Sequence, residues 1–133
     1  MSDQVSVLFA NEAFYAAFAG RDIKAMDELW SRRPDVTCIH PGWSPLIGRD
    51  SVMQSWRAIL SNPASHAIVC GNASAYIFAD VAYVLCHENV EQTFLAATNV
   101  FLHEKAGWKM VHHHAGPSPA PSFDPAAARQ PLQ

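Results

Sequence analysis

The stretch FLAATNVFLHEKAGWKMVHHHA, residues 94–115, decides the fold. Phe94 to Lys105 and Trp108 to Ala115 are two apolar-polar runs parted by Ala106-Gly107, and they predict an antiparallel hairpin. Side chains alternate across a strand. Ala97, Asn99, Phe101 and His103 therefore share one face of the first arm. Trp108, Met110, His112 and His114 share one face of the second, which leaves His113 on the other. Upstream, His66 to Ala79 and Val81 to Glu91 predict further strands on either side of Asp80, with Gly71-Asn72 as a bulge or turn. Cys86 and Glu88 share a face there, opposite His87.

Ahead of the strands the period changes to that of helices. Val7, Ala10, Phe14 and Phe18 form one stripe of a helix from about Val5 to Ala19, stopped by Gly20. Asp22 caps a second helix carrying Ile23, Met26, Leu29 and Trp30, with Arg32-Arg33 at its C-terminal end and Pro34 as its stop. Val36 to His40 is a short strand closed by Pro41-Gly42. A loop to Gly48 leads to a third helix, capped by Asp50 or Ser51, with Val52, Trp56, Ile59 and Leu60 inward and Asn62-Pro63 at its end. From Gly116 onward Pro117, Pro119, Pro121, Pro125 and Pro131 lie among Ala and Ser. The expected organisation is one domain over 1–116 and an extended or disordered tail over 117–133, with Phe123 as a candidate surface anchor. Helix, helix, strand, helix and then strands is an α+β order, with helices on one face of a curved antiparallel sheet.

The chain has 133 residues, half of them hydrophobic and 16% charged, against about 25% charged in an ordinary domain. So few charges predict that part of the surface is covered, most simply by a second copy. Nine Lys and Arg against twelve Asp and Glu leave a net charge of −3, with no basic stripe for nucleic acid. The three cysteines, Cys38, Cys70 and Cys86, are odd in number and widely spaced. They read as small buried hydrophobes rather than a disulfide or zinc framework. No signal peptide or membrane span is expected, and a cytoplasmic location fits. No Gly-rich phosphate loop occurs.

Four motifs in order resemble the SnoaL-like branch of the nuclear transport factor 2-like superfamily. They are Gly20-Arg21-Asp22-Ile23, Val36-Thr37-Cys38-Ile39-His40-Pro41-Gly42, Ile47-Gly48-Arg49-Asp50 before a Trp-bearing helix, and Gly107-Trp108-Lys109-Met110-Val111-His112-His113-His114. The resemblance runs over about residues 5–116. It implies three N-terminal helices on a highly curved, mixed, mostly antiparallel sheet, forming a cone with an internal pocket, and a homodimer through the outer sheet face. That superfamily includes ketosteroid isomerases, dehydratases and polyketide cyclases, but also transport factors and a kinase association domain, so fold alone does not choose a function.

In the resembling isomerases a carboxylate base stands where His40 stands. An imidazole with an unperturbed pKa of about 6.5 suits a general base. The plainer reading of His40 is a histidine closing a strand end. The isomerases' tyrosine maps to Phe14, which has no hydroxyl, with Tyr15 on a different helix face. Their protonated carboxyl maps to Asn99, a weaker donor. Both departures argue against ketosteroid isomerisation.

The candidate catalytic residues are His40 to move a proton, Asn99 to hold an oxyanion, and His112 or His114 to assist. Phe14, Phe18, Trp30, Trp43, Trp56, Glu88, Ala97 and Phe101 are the candidate ligand-binding residues. Trp43 is placed at the cavity mouth. Glu88 is either a general acid in a dry cone or a group facing solvent or a partner. His112 and His114 could chelate a metal with His40 or Glu88, but no second motif has metal spacing, and neither metal nor cofactor is expected. The expected function is a cofactor-independent isomerase, dehydratase or cyclase acting on a small apolar molecule. The alternatives are a small-ligand-binding module or a dimerisation or association domain.

Overall fold

The computed structural model describes residues 3–121. The candidate anchor Phe123 lies outside them, as does most of the predicted tail. Helices α1 (Asp3–Ala19) and α2 (Ile23–Leu29) lead into strands β1 (Thr37–Ile39) and β2 (Leu46–Ile47), then helix α3 (Arg49–Ser61). Four long strands follow, β3 (Val69–Phe78), β4 (Val81–Val90), β5 (Thr93–Glu104) and β6 (Gly107–Ser118). They make one six-stranded sheet in the order β2-β1-β6-β5-β4-β3. All pairs are antiparallel except β1 with β6. Helix α1 lies across β3, β4 and β6, while α3 packs on α2 and the β1–β2 end.

The core sits between these helices and the concave sheet face. Trp30, Trp56, Phe14, Phe101, Met26, Met53 and Met110 are all fully buried, and each large apolar side chain removed from water contributes roughly 1.5–3 kcal/mol. Helix α1 has an apolar stripe, but Asn11 is buried in the middle of it and Tyr15 lies one turn further on.

The helix ends depart from expectation. Gly20 does not supply the left-handed residue after α1; Arg21 does, at φ 52°. Arg21 is held there by its guanidinium, which donates to the carbonyls of Asn62 at 2.6 Å and Ser65 at 2.7 Å beyond α3. Helix α2 is shorter than its apolar pattern and ends at Leu29. Trp30 leaves the helix to form a β-bridge with Met110, and Arg32 and Arg33 pair with Asp27 and Asp35 instead of closing a helix end. The loop before α3 contains the short strand β2. Strand β6 continues through Gly116 and Pro117 to Ser118, where the sequence pattern ended it at Ala115. Beyond Ile39–His114 it has no β1 neighbour, and an edge is where a sheet tolerates proline.

One correction decides the site. The β5–β6 register runs Val100 opposite His112 but Phe101 opposite Met110, so Val111 is an extra residue bulged out of the ladder. A bulge reverses the alternation beyond it. Met110 is buried and so are His113 and Ala115, while His112 is half-buried and His114 exposed. His112 and His114 thus stand on the convex face, and His113 is the histidine that enters the interior.

Candidate functional site

The interior contains a connected polar cluster built from four elements. Asn11 and Tyr15 come from α1, Cys86 and Glu88 from β4, Asn99 from β5 and His113 from β6, and all are buried. Asn99 directs both amide hydrogens at α1, to Asn11 Oδ1 at 2.8 Å and to the Tyr15 hydroxyl at 3.1 Å. Its oxygen is 2.5 Å from His113 Nδ1. In this orientation Nδ1 donates, so His113 Nε2 carries a lone pair. The Tyr15 hydroxyl, accepting from Asn99, donates to Glu88 Oε2 at 2.5 Å. Glu88 Oε2 lies 4.0 Å from His113 Nε2.

That contact has the distance of an ion pair but not its charges. Burial pushes His113 down to about 3, helped by the nearby imidazoles of His40, His112 and His114. Burial raises the Glu88 carboxyl, and the Tyr15 hydrogen bond only partly opposes this. Desolvation works against the charged form of both groups. The arrangement is a neutral imidazole facing a carboxyl that burial makes a weaker acid than usual.

His40 belongs to an adjoining cluster. Pro41-Gly42 makes a tight turn with Gly42 at φ 81°, and Trp43 N–H closes it onto the His40 carbonyl at 2.9 Å. Ser55 donates its hydroxyl hydrogen to Val52 O at 2.6 Å, so its oxygen accepts from His40 Nε2 at 2.8 Å. Cys38 Sγ lies 3.9 Å from His40 Nδ1. Burial lowers His40 to about 4, well below the range in which a general base is efficient at neutral pH. His40 therefore has partners on both nitrogens and little basicity.

Rings fill the space between the two clusters. His40 stacks edge-on with Trp43 and Trp56, each at 4.8 Å. His113 contacts Phe14 at 4.9 Å and Trp56 at 5.9 Å, and Phe18 meets Trp56 at 5.5 Å. The buried Trp56 Nε1 has no acceptor. Trp43 covers this stack from the β1–β2 loop and is 47% exposed.

The structure thus brings together His40, Phe14, Phe18, Trp43 and Trp56, with Glu88 and Asn99 joined to them through His113. Ala97 is buried on the same face of β5 as Asn99. Trp30 and Phe101 sit beside Met110 instead, in the apolar core. His112 is tied on the convex face to Thr37 Oγ1 at 2.7 Å. Asn99, expected to hold an oxyanion, has both donor hydrogens engaged and orients Tyr15 and His113. Among the described residues no group of three or more His, Cys, Asp or Glu is placed to hold a metal, and no helix is long and apolar enough to cross a membrane.

Sequence reasoning missed Asn11, Tyr15, Ser55 and His113. The hydroxyl judged absent at Phe14 is present at Tyr15, whose ring turns inward beside Phe14 at 4.8 Å. A polar Asn11 one turn from Val7 and from Tyr15 in a buried stripe was the available signal.

A cleft of about 490 Å³ between α1 and β3 leads to this cluster, lined by Leu8, Asn11, Tyr15, Ile68, Cys70 and Gly71 among others. A profile of the SnoaL-like domain matches residues 7–121. The chain belongs to the SnoaL-like domain family. Among solved structures, this SnoaL-like chain is similar to a candidate dehydratase of the NTF2-like family from Streptomyces avermitilis. The two are 32% identical, with 89% of this chain and 97% of that one covered and a TM-score of 0.81. It is also similar to a candidate calcium/calmodulin-dependent protein kinase type II association domain from Thiobacillus denitrificans. That pair is 34% identical over 83% of this chain and 93% of the other, with a TM-score of 0.75. The F-box protein SKIP8 of Arabidopsis thaliana is 29% identical over 112 residues, 83% of this chain and 48% of that protein. The SnoaL-like chain spans about half the length of that curated relative.

Proposed function

We propose that this chain is a cofactor-independent acid–base enzyme of the dehydratase or isomerase type, acting on a small, largely apolar molecule. The observation that carries the reading is the Glu88 carboxyl facing His113 Nε2 at 4.0 Å. A dehydration or isomerisation needs a carbon-bound proton accepted and a proton delivered to the departing or receiving atom, and one carboxyl can do both in turn. His113, held at about 3, is a weaker base than His40, so Glu88, whose carboxyl burial raises, takes the proton as carboxylate and returns it as acid, with neutral His113 facing it. Tyr15 and Asn99 position them, and the cleft between α1 and β3 is the way in. Burying two ionisable groups costs several kcal/mol unless they are well partnered, and a desolvated, perturbed pair beside a cleft is a functional-site candidate. The likeness to a candidate dehydratase supports the same reaction class.

The test is turnover of a panel of β-hydroxy ketones and their enone products, followed in D2O by proton NMR. Glu88→Gln keeps an acceptor for Tyr15 but cannot release a proton, and we expect it to lower kcat by about 100-fold or more. Turnover unchanged in Glu88→Gln would overturn the assignment.

A second reading, association, is favoured by the convex sheet face. Phe78, Val81 and Leu85 are exposed there, beside a stacked pair formed by Tyr76 and Tyr83 at 5.1 Å. Likeness to an association domain points the same way. We infer a homodimer through this face in a cytoplasmic protein, and the two readings are compatible. Leu85→Glu should convert a dimer to monomer in sedimentation at micromolar concentration; a wild-type chain that already sediments as a monomer refutes the dimer.

A further inference from the structure

The interior holds a pair of groups that the acid–base reading does not use. Cys70 and Cys86 lie on the neighbouring strands β3 and β4, each sulfur reached by one of two mutually bonded amides: Asn11 Nδ2 at 3.7 Å from Cys70 and Asn99 Nδ2 at 3.9 Å from Cys86. The register explains the approach. Cys70 stands opposite Glu88, and Cys86 is the next inward residue along β4. The bulge between Gly71 and Ser74, with Asn72 at φ 56°, adds one residue to β3 just past Cys70.

The two thiols differ in surroundings. Cys70 is half-buried and lines the cleft of about 490 Å³. Asn11 Nδ2 donates to its sulfur at 3.7 Å. The neighbouring Cys86 first, and Asn11 after it, hold the Cys70 thiol below the usual thiol range against the opposing effect of burial. Cys86 is buried, 3.3 Å from the Tyr15 hydroxyl, and is pushed far up by the neighbouring Cys70 and by burial. An accessible thiol with stabilising donors beside a buried protonated one is the asymmetry that peroxide chemistry uses, because the thiolate is the nucleophile and a second thiol traps the product.

We propose that Cys70 and Cys86 form a peroxide-responsive dithiol. Cys70 thiolate attacks one oxygen of a hydroperoxide small enough for the cleft. The O–O bond breaks, the departing oxygen leaves as water or alcohol with a proton, and Cys70 becomes a sulfenic acid. Cys86 sulfur then attacks the Cys70 sulfur, and the hydroxyl leaves as water with the Cys86 proton. Two thiols and one peroxide give one disulfide, one water and one water or alcohol, so the sulfur pair loses the two electrons that the peroxide gains. The new bond draws the Cys86 sulfur away from Tyr15, and so disturbs the Tyr15–Glu88 hydrogen bond. That effect on turnover rests on the acid–base reading; the oxidation does not.

The test uses the reduced full chain, treated with hydrogen peroxide in small excess and followed by intact mass and non-reducing peptide mapping. The expected result is a loss of about 2 Da, a cross-link joining the Cys70 and Cys86 peptides, and reversal by dithiothreitol. Cys38→Ser should still lose that mass, because Cys38 is buried and pushed up to about 12. Cys86→Ser should instead leave a dimedone-trappable sulfenic acid on Cys70. The proposal is overturned by a cross-link through Cys38, by sulfinic acid on Cys70 without a cross-link, or by no oxidation at peroxide levels that oxidise a model thiol peptide. A disulfide that forms while Glu88→Gln turns over normally would refute only the acid–base reading.

Discussion

Replacing His113 by alanine is expected to lower the unfolding free energy by about 4 kcal/mol, more than any change at His112 or His114. Removing a buried ring of this size typically costs about 3–5 kcal/mol in lost contacts and residual cavity. The ring packs on Phe14 and Trp56. Its loss also strands the Asn99 oxygen that His113 Nδ1 serves, and an orphaned buried acceptor costs about 1–3 kcal/mol. His114→Ala removes an exposed side chain and should stay within about 0.5 kcal/mol. His112→Ala loses a half-exposed bond to Thr37, worth about 1 kcal/mol. Urea unfolding with an unchanged m-value measures all three. A larger loss at His114 than at His113 would mean that β6 presents the opposite faces.

Acid should begin to weaken this protein below about pH 6.5, before the ordinary carboxylates titrate. In the folded state His40 and His113 stay neutral down to about 4 and about 3. In the unfolded chain both take up protons near pH 6.5. Between those limits the unfolded state binds more protons, so stability falls as pH falls. By pH 4 each imidazole removes on the order of 3 kcal/mol, and the pair approaches the total stability of about 5–15 kcal/mol that a domain possesses. Glu88 has the opposite sign. Its carboxyl is raised in the folded state, so above about pH 4.5 the fold holds the extra proton. Glu88 therefore contributes less stability as pH rises and returns some on acidification, cancelling part of the loss. Denaturant midpoints between pH 7 and 4 should fall steadily, and His40→Gln should flatten the slope by about 1.4 kcal/mol per pH unit. A flat profile, or one unaltered in His40→Gln, would show that these imidazoles titrate normally.

Much of the fold was legible because binary patterning settles it. The apolar stripe of α1, the turn at Pro41-Gly42, the Asn62-Pro63 stop and the β5 alternation all follow from local chemistry. The β3 bulge near Gly71 was legible from its Gly-Asn pair. Failures occurred where tertiary contacts overrode local preference. Trp30 belongs by periodicity to α2, but its bridge to Met110 pulls it out. Arg21 occupies a left-handed conformation that sequence reasoning would give to Gly20, because carbonyls beyond α3 hold its guanidinium. The site was half legible. His40, Trp43, Trp56, Glu88 and Asn99 come together or adjoin, but the stripe through Phe14 does not include Tyr15, which is buried beside it. A helix face wide enough to bury both residues is not resolved by a single stripe.

Val111 is the residue that the ladder passes over. Were it paired, Val100 would meet Val111 and Asn99 would meet His112, turning His112 and His114 inward and His113 to the outside with no substitution at all. Deleting Val111 does the opposite: Met110 then leads straight to His112, the alternation becomes regular, and His113 keeps its place opposite Asn99. Which imidazole of the triplet meets the acid is therefore decided by whether one amino acid is looped out of β6, not by the histidine run itself.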